Sequence, residues 1–495
     1  MKTTMKRALS TLCLMCVLLS MSAASISCGD NTTAEDTTGG NADDTTETAT
    51  EEVTTEQDIK STLPTADFGG DKFNIFLWEY TQMAVTEETG DIINDAVYKR
   101  NSDVEEMYNV KLNFTVRDGS SESGQQYQWF KTITASILAG DGSIDLAGGY
   151  GYMLASNSLD GNYVNLCDVS PINFADPWWA DKIMESSKIG NKLYMALGCA
   201  DPQYWDCVYA MYCNKRLADQ YSIPDLYALV NDGKWTLDKL MEFSELASAD
   251  LNGDGVMDDT DQYGYLTGNN MEIDALIPAC GIKIVDKDKD KDGLPELLGL
   301  TEKYIDVQKR MESYIKTDAI LYGISWEMVK PFMNGQGLFM SERIEVSHTM
   351  REMKDDFSVL PYPKYDEKQE GYGTYLCIDN TTGFSIPVTA DAEKSGYILN
   401  ALSALGYSDV RPEYYDRVLK GKVTRDDEST AMLDLIFSSV TDDFSHFYSY
   451  SFGNQGSPWM LMRMSLKENK DISSMWAKNE NMYKKKMGEL ISALK

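Results

Sequence analysis

The sequence predicts an α/β fold in two lobes, each a mainly parallel sheet flanked by helices and each assembled from segments far apart in the chain. Three observations predict it. Phe73–Trp78, Asp91–Asn109 and Val110–Val116 read as strand, helix and strand in succession. Such a unit implies parallel pairing, because a crossover returns the chain in its original direction. A chain of 495 residues is too long for one small core and points to two or three domains. Finally, Leu193–Leu197 and Val208–Cys213 read as short apolar strands separated by Gly198–Asp206, a break with Gly, Pro and two Asp. That break is neither a tight turn nor a crossover helix, so it predicts passage from one sheet to another. It carries Tyr204, Trp205 and Asp206, which are expected at the floor of a cleft between lobes, where ligand sites form.

Taken in order, the chain opens on an export signal over residues 1–27. Lys2, Lys6 and Arg7 precede the uncharged apolar run Ala8–Ala24, and small residues lead to Cys28. The run is too short and wrongly flanked for a transmembrane helix. Ser25-Ile-Ser-Cys28 resembles a bacterial lipobox, with Cys28 as the lipidated residue; ordinary cleavage near Ala24 is the alternative. Residues 28–62 are expected to be a disordered tether. Gly29–Asp58 holds ten acids, no Lys or Arg and almost no large apolar side chain, so it has little to bury and repels itself.

Folding is expected from Leu63. Trp78, Glu79 and Tyr80 end the first strand. Ile93, Val97, Val104 and Tyr108 fall near helical spacing in the first helix, and Val110–Val116 alternates apolar and polar. Gln126–Ala139 reads as a helix and Ile144–Gly149 as a buried strand. Tyr150 and Tyr152 lie just past it, at the carboxyl end where α/β sheets place ligands. Helices are expected at Leu237–Ala247, Glu302–Ile315 and Ser325–Met333. A strand follows over Leu338–Ile344, with Glu342 and Arg343 at its exit. The chain is expected to cross back near Cys377–Thr382. The closing helix, Ile472–Leu494, sets Trp476, Tyr483, Met487, Leu490 and Leu494 on one face.

Net charge is −33, which argues against nucleic acid and anionic membrane surfaces as partners. Beyond Cys13, Cys16 and Cys28 there are six cysteines: Cys167, Cys199, Cys207, Cys213, Cys280 and Cys377. None forms a Cys-x-x-Cys pair, which speaks against zinc and iron–sulfur frameworks. Disulfides and buried thiols both stay open; the apolar surroundings favour thiols. Asp250–Asp261 has the spacing of a calcium loop, with Asp250, Asn252, Asp254, Asp258 and Asp261 as side-chain ligands and Val256 offering its carbonyl. Gly255 stands at the sharp sixth position, while Asp261 replaces the usual closing Glu. A structural calcium ion is expected there, with an acidic surface turn as the alternative. Asp286–Gly293 lacks the closing acid and reads as a solvated hairpin tip. Catalysis finds little support: His348 and His446 are the only histidines, and neither a Gly-x-Ser-x-Gly elbow nor a phosphate loop occurs. The 9 Trp and 29 Tyr are the notable supply, since sugar rings stack on such faces while carboxylates and Arg bond the hydroxyls.

A resemblance runs through five stretches: Asn214-Lys215, Gly233-Lys-Trp-Thr-Leu-Asp-Lys-Leu240, Phe357-Ser-Val-Leu-Pro-Tyr-Pro-Lys-Tyr-Asp366, Gly383-Phe-Ser-Ile-Pro387 and Leu419–Ser429. In that order they resemble the sugar-type extracellular solute-binding proteins of ABC transporters, the maltose-binding-protein family, in its large Gram-positive members. The resemblance covers the chain from Thr62 on. It implies a periplasmic-binding-protein-like fold, with 63–203 plus 380–455 in lobe one and 207–377 plus 456–495 in lobe two. It implies a monomeric, non-enzymatic lipoprotein on the outer face of the cell membrane. Such a protein captures a sugar or oligosaccharide by lobe closure and passes it to a permease, with no catalytic cofactor and membrane contact only through its lipid. Trp459, in Gly456-Ser-Pro-Trp459, resembles the position of a sugar-stacking Trp. A secreted glycoside hydrolase and a passive glycan adhesin are the alternatives.

Overall fold

Phe73, Ile75 and Leu77 are buried on the first strand, β1 (Asp71–Trp78), with Phe76 and Trp78 buried on its other face. Burial on both faces is the mark of a strand covered by helices on two sides. β1 pairs in parallel with β2 (Val110–Arg117) and β3 (Leu146–Tyr150). The computed structural model describes residues 59–287, 293–419, 427–453 and 456–494. The export signal, Cys28, the tether up to Asp58 and most of the Leu419–Ser429 stretch therefore lie outside the described residues. Regular structure is present slightly before the expected start at Leu63, in a helical turn at Ile59–Thr62 whose Ile59 packs on the core.

The helix between β1 and β2 spans Ile92–Tyr108. Asp91 caps it by accepting the Ile93 and Asn94 N–H groups, and Asn109 closes it at φ 47°. Its face of Ile93, Val97, Val104 and Tyr108 is buried, and it packs against the helix Ala392–Leu405. β3 carries Gly148 and Gly149 because its neighbours leave no room. A Cβ on Gly148 would stand 2.6 Å from Leu77 Cδ2, and one on Gly149 2.7 Å from Trp129 Cη2.

A second sheet is built from β4 (Tyr209–Asn214), β5 (Tyr263–Gly268), β8 (Ile320–Gly323), β9 (Gly337–Arg343) and β10 (Phe357–Leu360), in the order β10-β4-β9-β5-β8. The short pair β6 (Val285–Asp286) and β7 (Glu296–Leu297) forms a hairpin apart from both sheets. The first sheet is completed by β11 (Thr382–Ser385), in the order β11-β3-β1-β2. Both sheets are mixed rather than parallel throughout. β11 runs antiparallel to β3, and β4 antiparallel to β9 and β10. The physical reason is where the chain enters: β4 and β11 each follow a crossing and start at the edge where the parallel strands end.

The crossing itself differs from expectation. Leu193–Leu197 is not a regular strand; only Ala196 pairs, with Phe384 of β11. Gly198–Asp206 ends in a helical turn, Gln203–Asp206. Val208 then pairs with Leu376, flanked by Tyr209 N–H to Tyr375 O at 3.0 Å and Cys377 N–H to Cys207 O at 3.0 Å. Outgoing and returning chain thus form one antiparallel ribbon between the sheets. The helix Leu237–Ala247 forms as read, capped by the Thr236 side chain. Ser325–Met333 splits into a 3₁₀ turn, Ser325–Glu327, and the short helix Val329–Met333. Two of the family-like stretches meet: Trp235 is buried and donates its indole N–H to Pro361 O at 2.9 Å. The six cysteines in the described residues are free thiols, all but Cys167 buried. Among the described residues no helix is long and apolar enough to cross a membrane.

Candidate functional site

The carboxyl ends of the parallel strands set out the candidate site. Trp78, at the end of β1, is buried and donates its indole N–H to Thr382 Oγ1 at 2.9 Å. Glu79 accepts the backbone N–H groups of Gly119 at 2.5 Å and Ser120 at 3.2 Å, fixing the loop after β2. Tyr80 is exposed and donates to Glu122 at 3.0 Å. Tyr150, at the end of β3, donates its hydroxyl to Asp379, and Tyr152 shares a hydrogen bond with His446 Nε2. These rings form one row: Tyr80 to Trp78 at 5.3 Å, Trp78 to Tyr150 at 5.9 Å, Tyr150 to Tyr152 at 5.9 Å, and Tyr152 to His446 at 5.0 Å. Five of the sequence-picked aromatics, Trp78, Tyr80, Tyr150, Tyr152 and Trp459, thereby belong to one connected cluster.

Trp459 ends that row but is closed off. It is fully buried, stacked at 4.5 Å on His446 and at 6.0 Å on Tyr375. The faces expected to receive a sugar are met by protein rings. His446 is held in turn by Asp442, whose carboxylate lies 2.6 Å from Nδ1, and by the Tyr375 hydroxyl at 3.1 Å from Nε2. This buried relay orders the cluster.

Tyr204, Trp205 and Asp206 sit elsewhere. All three are buried, and Trp205 packs on Tyr414 at 5.3 Å. Asp206 accepts from Gln82 Nε2 at 2.6 Å and Tyr414 Oη at 2.6 Å, and lies 3.2 Å from His348 Nε2. Burial alone would raise its pKa; these hydrogen bonds hold it below the usual carboxylate range. The expected cleft floor is therefore a core knot under the ribbon. The correction has a physical cause: the turn Gln203–Asp206 brings Trp205 onto Tyr414 of the helix Arg411–Leu419 and Asp206 onto Tyr414 and His348 of the segment Ile344–Glu352.

On the second sheet, Glu342 and Arg343 end β9. Arg343 is partly exposed and pairs with Glu345 at 3.1 Å and Glu342 at 3.7 Å. Glu342 is buried beside Glu272. Burial first, then the Glu342 charge, push the Glu272 carboxyl up to about 7. Arg463 bonds Asn270 Oδ1 at 2.5 Å and lies 3.1 Å from Asp274, whose buried carboxyl is pushed up to about 6.

Sequence reasoning missed Asp379. It is partly buried just past the ribbon, accepts from Tyr150, and lies in the fields of Arg463, His446 and Arg343. Its signal was available: an acid within the predicted return crossing Cys377–Thr382. Asp201 was also missed. Buried in the outgoing crossing, it accepts from Thr81 Oγ1 at 2.7 Å, Thr382 Oγ1 at 2.8 Å and the Gln82 N–H at 3.1 Å. It ties the end of β1 to the start of β11.

A cavity of about 960 Å³, lined by Phe174, Lys182, Glu185, Ile282, Asp443 and other residues, meets the aromatic row only at its buried end, and Trp459 is the one expected site residue in its lining. In the Asp250–Asp261 loop, Asp250 accepts the N–H groups of Gly253 and Gly255 at 2.7 and 2.8 Å. Asn252 and Asp254 accept those of Asp254 and Val256, each at 2.9 Å. Asp258 accepts that of Thr260 at 2.8 Å, and Asp261 those of Leu251 and Asp258 at 2.8 and 2.9 Å. Among the described residues no three His, Cys, Asp or Glu side chains come together as a metal site.

No family model and no curated protein sequence matches this chain. Solved structures do. An ABC substrate-binding protein from Listeria monocytogenes in complex with cycloalternan is similar at TM-score 0.53 and 12% identity, over 84% of this chain and 99% of that one. A cyclo/maltodextrin-binding protein complexed with maltotetraose is similar at TM-score 0.56 and 14% identity, over 84% and 97%. A sugar transporter protein from Rhizobium etli, in an open conformation, is similar at TM-score 0.54 and 16% identity, over 86% and 100%. The chain therefore has the two-lobed fold of these solute-binding proteins.

Proposed function

We propose that this protein captures a sugar or oligosaccharide outside the cell, closes its two lobes about it and delivers it to the permease of an ABC transporter. One observation carries the reading: Tyr80 stands exposed past β1, backed by the buried rings of Trp78 and Tyr150, and the row runs to Asp379 beside the ribbon, with Arg343 at the end of the other sheet's β9. Ring faces suit the apolar faces of pyranoses, and a carboxylate with a guanidinium suits their hydroxyls. A ligand touching both lobes favours the closed state, and the ribbon is the natural hinge. Binding rather than catalysis fits the histidines: His446 is buried in its relay, and His348 lies against Asp206 and Tyr414 in the core knot.

The fold neighbours hold maltotetraose and cycloalternan, so these are the first ligands to test. The expected result is a raised melting temperature, saturable heat in calorimetry, and a smaller radius of gyration in solution scattering. Steady release of product from glycans would make the protein a hydrolase, and binding without compaction would make it an adhesin. Either outcome removes the proposal.

The same reading places a lipid on Cys28, the protein on the outer face of the membrane, and a monomer in solution. It also places a structural calcium ion at Asp250–Asp261. What supports the ion is the ligand spacing together with a backbone curled at Gly253 and Gly255, where φ is 76° and 79°.

A further inference from the structure

Among the described residues three aromatic side chains are exposed: Tyr80 at 37%, Tyr127 at 55% and Trp326 at 74%. Eight of the nine tryptophans are buried, none more than 7% exposed, so Trp326 is the exception of its kind. All three exposed rings share one kind of position. Tyr80 follows β1 directly. Tyr127 opens the helix Gln126–Ala139, which follows β2, and Trp326 lies in the 3₁₀ turn that follows β8. β1, β2 and β8 are all parallel-paired strands, and each ring stands past its strand's carboxyl end. Rings left in water by chance would scatter over the surface. Here each one follows the carboxyl end of a parallel strand, the side on which α/β sheets receive ligands.

The turn holding Trp326 is also fixed. Asn269 N–H donates to Gly323 O at 2.7 Å, tying β8 to the end of β5. Ser325 Oγ donates to Glu272 Oε2 at 2.8 Å, tying the turn to the pair Glu272 and Glu342. Two polar atoms of this neighbourhood, Glu272 Oε1 and Tyr322 Oη, are buried without a hydrogen-bond partner. An exposed indole on a tethered turn, with partnerless polar atoms on the adjoining Tyr322 and Glu272, has the makings of a carbohydrate subsite: a flat apolar face with hydrogen-bonding groups in its neighbourhood.

We propose that Trp326 is the second lobe's stacking platform for a pyranose ring of the ligand, complementing the exposed tyrosines that follow β1 and β2. The inference rests on the carbohydrate reading above and adds to it the residue and the subsite. Rings at both sheet edges imply a ligand of more than one sugar unit.

The test uses the mature protein with maltotetraose, cellotetraose, xylotetraose and mannotetraose as probes. Tryptophan emission accessible to acrylamide comes chiefly from Trp326, because the other indoles are buried. A tetrasaccharide that binds by calorimetry is expected to suppress that quenching and shift the emission to the blue. Trp326→Ala is expected to remove the quenchable component, leave the unliganded melting temperature unchanged, and weaken binding about tenfold or more. Trp326→Tyr is expected to keep most of the affinity. If Trp326→Ala binds the same sugar with unchanged affinity, or wild-type quenching does not respond to bound sugar, the platform is overturned while sugar capture stands. If no tetrasaccharide binds the wild type, the carbohydrate reading fails and the platform fails with it.

Discussion

Glu272 shows what burial does to a single acid. In an unfolded chain its carboxyl titrates near 4.5, and in the fold it is pushed up to about 7, first by burial and then by the charge of Glu342. Between those values the native state keeps a proton that the unfolded state has lost, so stability falls as pH rises through the window. Its contribution is fully present below pH 4.5 and gone above about pH 7. The full difference is of the order of 3 kcal/mol at 1.36 kcal/mol per pH unit. Asp274, pushed up from 3.8 to about 6 by burial against the opposing pull of Arg463, adds a contribution of the same sign over a slightly narrower pH window. Glu272→Gln is expected to flatten this part of the profile and to exceed the wild type in stability at pH 8, while matching it near pH 4.5. Urea unfolding at both pH values checks this, and parallel profiles for the two proteins would refute the buried-acid reading. The same carboxyl bonds Ser325, so the acid that titrates also steadies the turn of Trp326.

Among the elements, the ribbon and the acidic loop make opposite use of the backbone. The ribbon holds two chain passages by main-chain bonds around Val208 and Leu376, so its geometry needs no particular side chain. The loop Asp250–Asp261 is held almost wholly by side chains accepting N–H groups from within the loop. Such a loop changes partners readily when a cation arrives, since the acceptors are acids already turned toward the backbone. Millimolar calcium is expected to raise the melting temperature and chelation to lower it, through preferential binding to the native state. Asp254→Ala is expected to abolish the difference. Identical melting curves with calcium and with chelator, in the wild-type protein, would end the calcium proposal.

For the molecule as a whole, the charge of −33 and the acidic stretch Gly29–Asp58 bear on where it works. A strongly anionic protein is repelled by anionic lipid surfaces, so a membrane location requires a covalent anchor. Cys28, after the apolar run and before the acidic stretch, is the residue in position to carry it. In cell fractionation the wild type is expected with the membranes, whereas Cys28→Ala is expected in the medium or as uncleaved precursor. Equal partition and equal migration of the two would exclude lipidation at Cys28.

The sequence by itself determined the parts whose cause is local. The helices Gln126–Ala139, Leu237–Ala247 and Ile472–Leu494 were legible because apolar period acts within a few turns. β1 and β2 were legible from pattern, as was the position of Tyr80 just past β1, while Tyr150, expected past its strand, is the last residue of β3. Exposure was not legible, because it is decided by partners distant in the chain. Trp205 is covered by Tyr414, and Trp459 by Tyr375 and His446. Trp326 looked like one residue of a nine-residue helix until a 3₁₀ turn set it in water. Asp379 gained its meaning only when the return crossing brought it to Tyr150, 229 residues away in sequence. Secondary structure follows from neighbours along the chain, whereas a binding face is what remains after every other surface has found its partner, and only the tertiary structure decides that.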